Sequence, residues 1–395
     1  MQLTPMMQQY RRIKRETPPS ILMFRLGDFY EMFFEDAVTA SRVLGITLTG
    51  RESGKGNRVP MCGVPYHAAQ EYIARLIRAG HKVAVCDQVE DPSLAKGLVR
   101  REVTRVVTPG TALEEELLGA GSNNYLAAVH LAGGLYGLSC LDLSTGEFLV
   151  TELPREADLL NEIARLSPSE FLLPRALAED AAFIKVLRRV SDKMVNPCDD
   201  WLFDREGALR RLRELFRTQS LDGFGCAGLT AGVSAAGAAV QYLKDAGHAS
   251  LAHVTRIIPY AADCALVIDP VTQRNLELAR NLRDGGREGT LLAVLDRTAT
   301  AMGARLLKGW LLRPLADPDE ISARLDAVGE LVGNPAAADA LLSPLADFKD
   351  IERLIARIDC GRANARDLLS LGQSLALLPA IDRKSTRLNS SHVSQ

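Results

Sequence analysis

Hydrophobic periodicity changes along this chain, and that change constrains the fold more than any single motif does. Up to about Thr111, short apolar runs alternate with helical patterns, whereas from about Val267 the apolar residues recur almost throughout at helical spacing. A period of two suits half-buried strands and a period of 3.6 suits amphipathic helices. Blocks of both in one chain imply several domains, and 395 residues leave room for roughly two to three.

In the first block, Thr4-Pro5 reads as N-cap and N1 of a helix through Lys14. A strand follows at 20–26, then a helix from 29 to Leu44 stopped by Gly45. Strands at 46–49 and 58–62 bracket a polar, Gly-rich loop, 50–57. A helix at 67–79 and strands at 82–87 and 102–107 complete a small mixed α/β domain, and Thr108-Pro109-Gly110-Thr111 turns out of it. Residues 112–123 suit a linker. A meander is expected at 124–131, 135–143 and 147–152. Helices at 156–166, 176–189 and 206–217 and a strand at 169–173 follow, closing a second α/β domain near Gly247. The all-α part has helices at 290–312, 318–332, 348–358 and 364–378. Residues 382–395 lack periodicity. Back-translated, they resemble a sequencing-library adapter read in frame, so a non-native tail is expected, with native sequence continuing past Ile381.

Charge is divided unevenly. Residues 1–111 hold 16 Lys and Arg against 11 Asp and Glu, a surplus of five; the remainder holds 31 against 38, a deficit of seven. That is a modest electrostatic footprint for an anionic partner of the first block. Seven cysteines, at 62, 86, 140, 198, 226, 264 and 360, stand singly, without a CxxC pair. They read as free thiols, against a disulfide framework or a zinc site. Residues 1–19 lack the apolar core of a signal peptide, and no apolar run is long enough for a bilayer.

The most informative stretch is Gly27-Asp28-Phe29-Tyr30-Glu31-Met32-Phe33, with an aromatic ring and a carboxylate two residues apart at an expected helix start. A helix N-terminus suits a phosphate-rich partner. A Phe there can enter a base stack, and a Glu beside it can test base edges. The same spacing fits a capping box, with Asp28 as N-cap and Glu31 as N3. The two readings compete only for the Glu31 carboxylate.

Together with Thr4-Pro5-Met6-Met7-Gln8-Gln9-Tyr10, Val59-Pro60-Met61-Cys62-Gly63-Val64-Pro65-Tyr66-His67 and Val106-Val107-Thr108-Pro109-Gly110-Thr111, that stretch resembles the MutS family of bacterial DNA mismatch repair proteins. Asn275-Leu276-Glu277, Thr290-Leu291 and Gly303-Ala304-Arg305-Leu306-Leu307 resemble the start of its helical core. The resemblance covers residues 1–381. It implies a multidomain α/β plus all-α fold: a mixed α/β mismatch-recognition domain at 1–111, a linker at 112–123, a ribonuclease-H-like α/β connector at 124–250 and a partial helical core at 251–381. The family's clamp and ATPase have no counterpart in it. The implied partner is double-stranded DNA with mispaired or unpaired bases. For the intact protein the resemblance implies a cytoplasmic, ATP- and Mg²⁺-binding homodimer with a MutL-like downstream partner. For this chain it implies no cofactor, no metal and no catalytic residue.

In that family the Phe of Phe-x-Glu wedges into the minor groove and the Glu hydrogen-bonds the displaced base, which here are Phe29 and Glu31. A wedge costs a few kcal/mol per unstacked step, less at a defect, and stacking on the ring returns roughly 1–3 kcal/mol. Arg51, Lys55 and Arg58, in a basic Gly-rich loop, are candidates for phosphate contacts. Met61 lines the groove or the core, and Tyr66 is expected in the core.

Other motifs carry less. Gly223-Phe224-Gly225-Cys226-Ala227-Gly228 fits G-x-G-x-x-G but follows a charged helical segment where the dinucleotide fingerprint needs a strand. Gly54-Lys55 is followed by Gly56, so it lacks the P-loop Ser or Thr, and no ATP turnover is expected. Asp142 reads as a turn residue rather than a nuclease ligand. The rival of another class is a protein-interaction module with little DNA binding of its own.

Overall fold

The computed structural model describes residues 4–53, 58–90, 97–248, 250–261 and 265–391, with side chains to Arg383. The chain forms two compact units, Met1–Leu118 with Tyr242–Ala249, and Gly119–Gln241 with Ser250–Gln395.

The first unit begins with helix α1 (Pro5–Glu16), in which the Thr4 hydroxyl caps the Met7 N–H and Met7, Tyr10 and Ile13 form the buried stripe. Strands β1 (Ser20–Leu26) and β2 (Phe29–Phe33) form a hairpin that leads into α2 (Phe34–Leu44). Strands β3 (Thr49–Glu52) and β4 (Arg58–Pro65), helix α3 (Ala69–Arg78) and strands β5 (Lys82–Gln88) and β6 (Arg101–Val107) follow. The sheet order is β3-β4-β2-β1-β5-β6, antiparallel except for the β1–β5 pair. Strand alternation gives the sheet two buried faces. Tyr30, Met32, Cys62, Val64, Val83 and Val85 pack with residues of α2 and α3. Leu22, Phe24, Phe33, Val59, Ala84 and Cys86 pack with Met7, Tyr10 and Ile13 of α1.

Three expectations change here. Residues 29–33 are a strand, not the first turn of a helix. Gly27, at φ 57°, is the first of two loop residues between the paired Leu26 and Phe29, where a two-residue hairpin needs a left-handed residue. The helix starts only at Phe34, so the capping box does not form. The strand expected at 46–49 lies instead at 49–52, because pairing with β4 draws Gly50, Arg51 and Glu52 out of the expected loop. Residues 112–118, read as linker, are packed: Ala112 and Leu113 are buried, and Arg105 pairs with Glu114 at 2.5 Å.

The second unit opens with the meander β7 (Leu126–Ala132), β8 (Leu135–Asp142) and β9 (Glu147–Leu153), followed by α4 (Glu156–Leu166) and β10 (Glu170–Pro174). Helices α5 (Arg175–Glu179) and α6 (Ala181–Val190), strand β11 (Met194–Cys198), helices α7 (Arg205–Phe216) and α8 (Ala231–Asp245, of which the residues from Tyr242 belong to the first unit) and the short strand β12 (Ile258–Pro259) complete its α/β part. Its mixed sheet runs β11-β10-β7-β8-β9-β12. Both β11 and α8 were missed in the sequence. The Met194–Cys198 segment contains Asn196 and Pro197, and α8 is so rich in Ala and Gly that it shows no polar face. Helices α9 (Pro270–Asn275), α10 (Leu291–Leu295), α11 (Ala301–Leu312), α12 (Pro318–Gly333), α13 (Pro335–Ala346), α14 (Ile351–Asp359) and α15 (Ala365–Ser391) follow. The helix expected at 290–312 is broken into α10 and α11, because Asp296 caps Thr298 and Thr300 starts a new helix by accepting from the Gly303 N–H. The last helix does not stop at 378 but continues to Ser391, with no Gly or Pro after Pro379 to end it.

Candidate nucleic-acid interface

Three strands of the first sheet carry the candidate residues. On β2, Phe29, Glu31 and Phe33 share the α1 face, and Tyr30 and Met32 point the other way. Phe33 is fully buried beside Tyr10, with ring centroids 5.0 Å apart. Two residues nearer the hairpin loop, Glu31 is mostly buried; two further, Phe29 is 47% exposed. Burial therefore falls along one face of one strand. Phe29 stands at the sheet end between its paired neighbours Leu26 and Pro65.

The opposite face anchors the strand. The Tyr30 hydroxyl donates to Asp87 at 2.5 Å, and burial, reinforced by Asp87, pushes that phenol up to about 12. Asp87 also accepts from Thr104 at 2.8 Å. The Arg25 guanidinium lies 3.6 Å from the Tyr66 ring centre. Tyr66 is 45% exposed rather than in the core, because Pro65 ends β4 and Tyr66 begins a 3₁₀ turn beyond the sheet.

Glu31 does not reach back to Asp28. Its carboxylate pairs with Arg51, which extends from β3 across β4. Gly63 lies opposite Glu31, where a Cβ would sit 3.3 Å from the Tyr30 carbonyl and touch the Glu31 Cγ at 3.4 Å. Gly63 went without a role in the sequence reading; only the strand register reveals one. Arg58 is exposed and folds over Gly50, donating to its carbonyl at 3.0 Å. Met61 is half-buried, packs toward the α1 cluster and has the Thr49 hydroxyl 3.6 Å from its Sδ. Lys55 lies outside the described residues. Thus Phe29, Glu31, Arg51 and the half-buried Met61 share one face of the sheet, and Arg58 lies on the neighbouring hairpin.

The sequence matches MutS domain I over residues 4–116, MutS domain II over 124–255 and MutS domain III over 271–395. The chain belongs to the MutS family. It is 52% identical over 383 residues to the DNA mismatch repair protein MutS of Symbiobacterium thermophilum, covering 96% of this chain and 44% of that protein. To the MutS of Lachnoclostridium phytofermentans it is 46% identical over 380 residues, 96% of this chain and 41% of the relative. To that of Syntrophobacter fumaroxidans it is 45% identical over 395 residues, 100% and 44%. The chain thus spans about two fifths of the length of these curated relatives. The candidate face lies within the part matched by MutS domain I.

Several buried acidic groups of the second unit are held in protein contacts. A cleft of about 1070 Å³ is lined by Tyr125, Glu147, Arg305, Trp310 and Glu352, among others. Glu147 accepts from Tyr125 and Asn123, both at 2.7 Å, and burial pushes its carboxyl above the usual range. Asp142 accepts from the Ser144 N–H at 2.9 Å and its hydroxyl at 2.7 Å, the role of a turn residue. Among the described residues the one group of three potential metal ligands is His253, Asp359 and Cys360. Both ring nitrogens of His253 already face protein oxygens, at 2.8 Å from Asp359 and 2.8 Å from the Leu143 carbonyl. Among the described residues no helix is long and apolar enough to cross a membrane.

Proposed function

We propose that this chain binds duplex DNA and discriminates mispaired or unpaired bases by testing how cheaply a base step unstacks. The observation that supports this reading is Phe29, a large apolar ring 47% exposed at the end of a buried strand. An isolated exposed Phe is unremarkable on many surfaces. Here the ring projects from a rigid sheet, two residues from a carboxylate on the same face. Inserted at a minor-groove step, Phe29 stacks on a base and loses its hydration. Glu31 then accepts a hydrogen bond from the displaced base. Arg58 and Lys55 supply phosphate contacts, and Arg51 adds one from the donors that Glu31 leaves unused. Met61 packs beside them on the same face.

In the same reading, the second unit contains a ribonuclease-H-like connector and part of a helical core. The whole protein is a cytoplasmic homodimer that binds ATP and Mg²⁺ in the portion its relatives possess beyond this chain, and it engages a MutL-like repair partner. The engaged carboxylates of the second unit weigh against a nuclease.

The test is a gel-shift series with a G·T duplex and a matched homoduplex, with and without Mg²⁺. Tighter binding of the G·T duplex, with the DNA left intact in Mg²⁺, is expected. Equal, weak binding to both duplexes would favour the protein-interaction reading, and cleavage would favour a nuclease.

A further inference from the structure

We propose that Arg51 is a positioning residue for mismatch discrimination, acting through Glu31 rather than only as a phosphate contact. This inference rests on the reading of Phe29 and Glu31 as the mismatch-testing pair.

The geometry carries it. Glu31 stands on a crowded face, paired across β1 with the buried Phe24 and across β4 with Gly63. Its side chain is 16% exposed, too little for water alone to fix its rotamer, whereas that of Arg51 is 39% exposed. Arg51 Nη1 donates to Oε2 of Glu31. Among the described residues Oε1 has no protein donor, so the two oxygens are unequal. One is occupied by the guanidinium and the other is left as the acceptor for a partner approaching the Phe29 end of the strand. A carboxylate held in this way accepts hydrogen bonds and donates none, so it favours a base edge presenting an N–H. Arg51 also offsets the repulsion between Glu31 and nearby phosphates. A second guanidinium near this face is committed elsewhere: Arg101 donates to the Arg25 and Val99 carbonyls at 2.7 and 2.9 Å. Nothing in the spacing of residues 31 and 51 announces the pair. It arises because β3 and β2 flank β4 in one sheet.

A phosphate contact and a positioning role differ in what they change. A phosphate contact supports all duplexes alike and lowers the salt slope by about one unit when lost. A positioning residue changes the mismatch-to-homoduplex ratio, and only while Glu31 is present.

The experiment is a double-mutant cycle on the full chain. It uses fluorescence anisotropy with a G·T duplex and a homoduplex, and the variants Arg51→Ala, Arg51→Lys, Glu31→Ala and Arg51→Ala/Glu31→Ala. Arg51→Ala is expected to lower the ratio roughly fivefold, the scale of a partly exposed ion pair. Arg51→Lys is expected to restore most of it, and Arg51→Ala in the Glu31→Ala background is expected to leave it unchanged. Equal weakening of both duplexes in both backgrounds, with the ratio intact, would overturn the proposal while leaving the wedge reading in place. A wild-type chain without mismatch preference would remove both. Side-chain NMR of the free protein adds a measurement without DNA. Hindered rotation of the Arg51 guanidinium, lost in Glu31→Ala, is expected, and a freely rotating guanidinium in the wild type would overturn the pair.

Discussion

Phe29 and Glu31 are held in opposite ways. The ring is placed by its backbone alone, at the end of a strand whose other side chains are buried. The carboxylate is placed by a partner, Arg51. Removing the ring therefore deletes a contact, whereas removing the carboxylate also frees a cation. Glu31→Ala is accordingly predicted to raise homoduplex affinity, by about fivefold, because it takes a like charge from the phosphates and releases Arg51 toward them. Anisotropy titrations at fixed salt check this, and weaker homoduplex binding in the variant would contradict it. The thiols play no comparable part: burial pushes Cys62 up to about 11 and Cys86 up to about 12, as expected for inert core residues.

At the scale of elements, the β1–β2 hairpin sets the site. Gly27 has φ 57° and open space around its missing Cβ, so an added methyl meets no neighbour, only backbone strain. Gly27→Ala is predicted to destabilise the first unit by roughly 1–2 kcal/mol. Urea unfolding monitored by near-UV circular dichroism measures the shift, and an unchanged midpoint would show that the turn is not left-handed. The same hairpin shows how far the sequence could be read. The strands with uninterrupted apolar runs, such as 20–26 and 82–88, are visible in it because burial on both faces writes itself as composition. Strand β2 is not, because Gly-Asp followed by Phe-x-Glu serves equally as a hairpin turn and as a helix start. Only pairing with β1 and β4 decides between them. Phe29 and Glu31 were singled out in the sequence from the family resemblance. Their two-residue spacing places them on one face because the segment is a strand, and for no reason that a helix would supply. The Arg51–Glu31 pair was illegible, since it depends on sheet order.

At the scale of the molecule, the helical part leaves apolar surface uncovered. Ile321, Leu325, Val328 and Val332 on α12 are between 37% and 74% exposed. What stabilises this unit is more local. Arg305, almost fully buried, donates to Asp350 at 2.7 and 2.8 Å, to Glu352 at 2.6 Å and to the Ala120 carbonyl at 3.1 Å. It thereby joins α11 and α14 to the unit's first residues. Arg305→Ala is predicted to cost about 3 kcal/mol, because it takes from Asp350 and Glu352 their shared guanidinium and leaves Asp350 with only the more distant Arg353 at 3.7 Å. The pH dependence has a definite sign. Burial alone would raise the Asp350 carboxyl, but the hydrogen bonds and charge of Arg305, with the charge and backbone N–H of Arg353, together outweigh it and hold the group below the usual value of 3.8. A depressed carboxyl stabilises the fold above its unfolded value and loses that contribution as pH falls through the folded one. The wild type should therefore lose stability as pH drops below about 4, and Arg305→Ala should lose less over that window. Chemical denaturation at stepped pH measures both, and parallel profiles would contradict the assignment.

The account rests on an aromatic ring that is free to leave its own protein. The most direct measurement is the ratio of G·T-duplex to homoduplex affinity for the wild type and for Phe29→Ala, with thermal melting of both proteins alongside. The predicted result is a wild-type ratio well above one that falls to about one in the variant, while the melting temperature barely moves, as suits an exposed side chain. A variant that keeps the wild-type ratio would contradict the account.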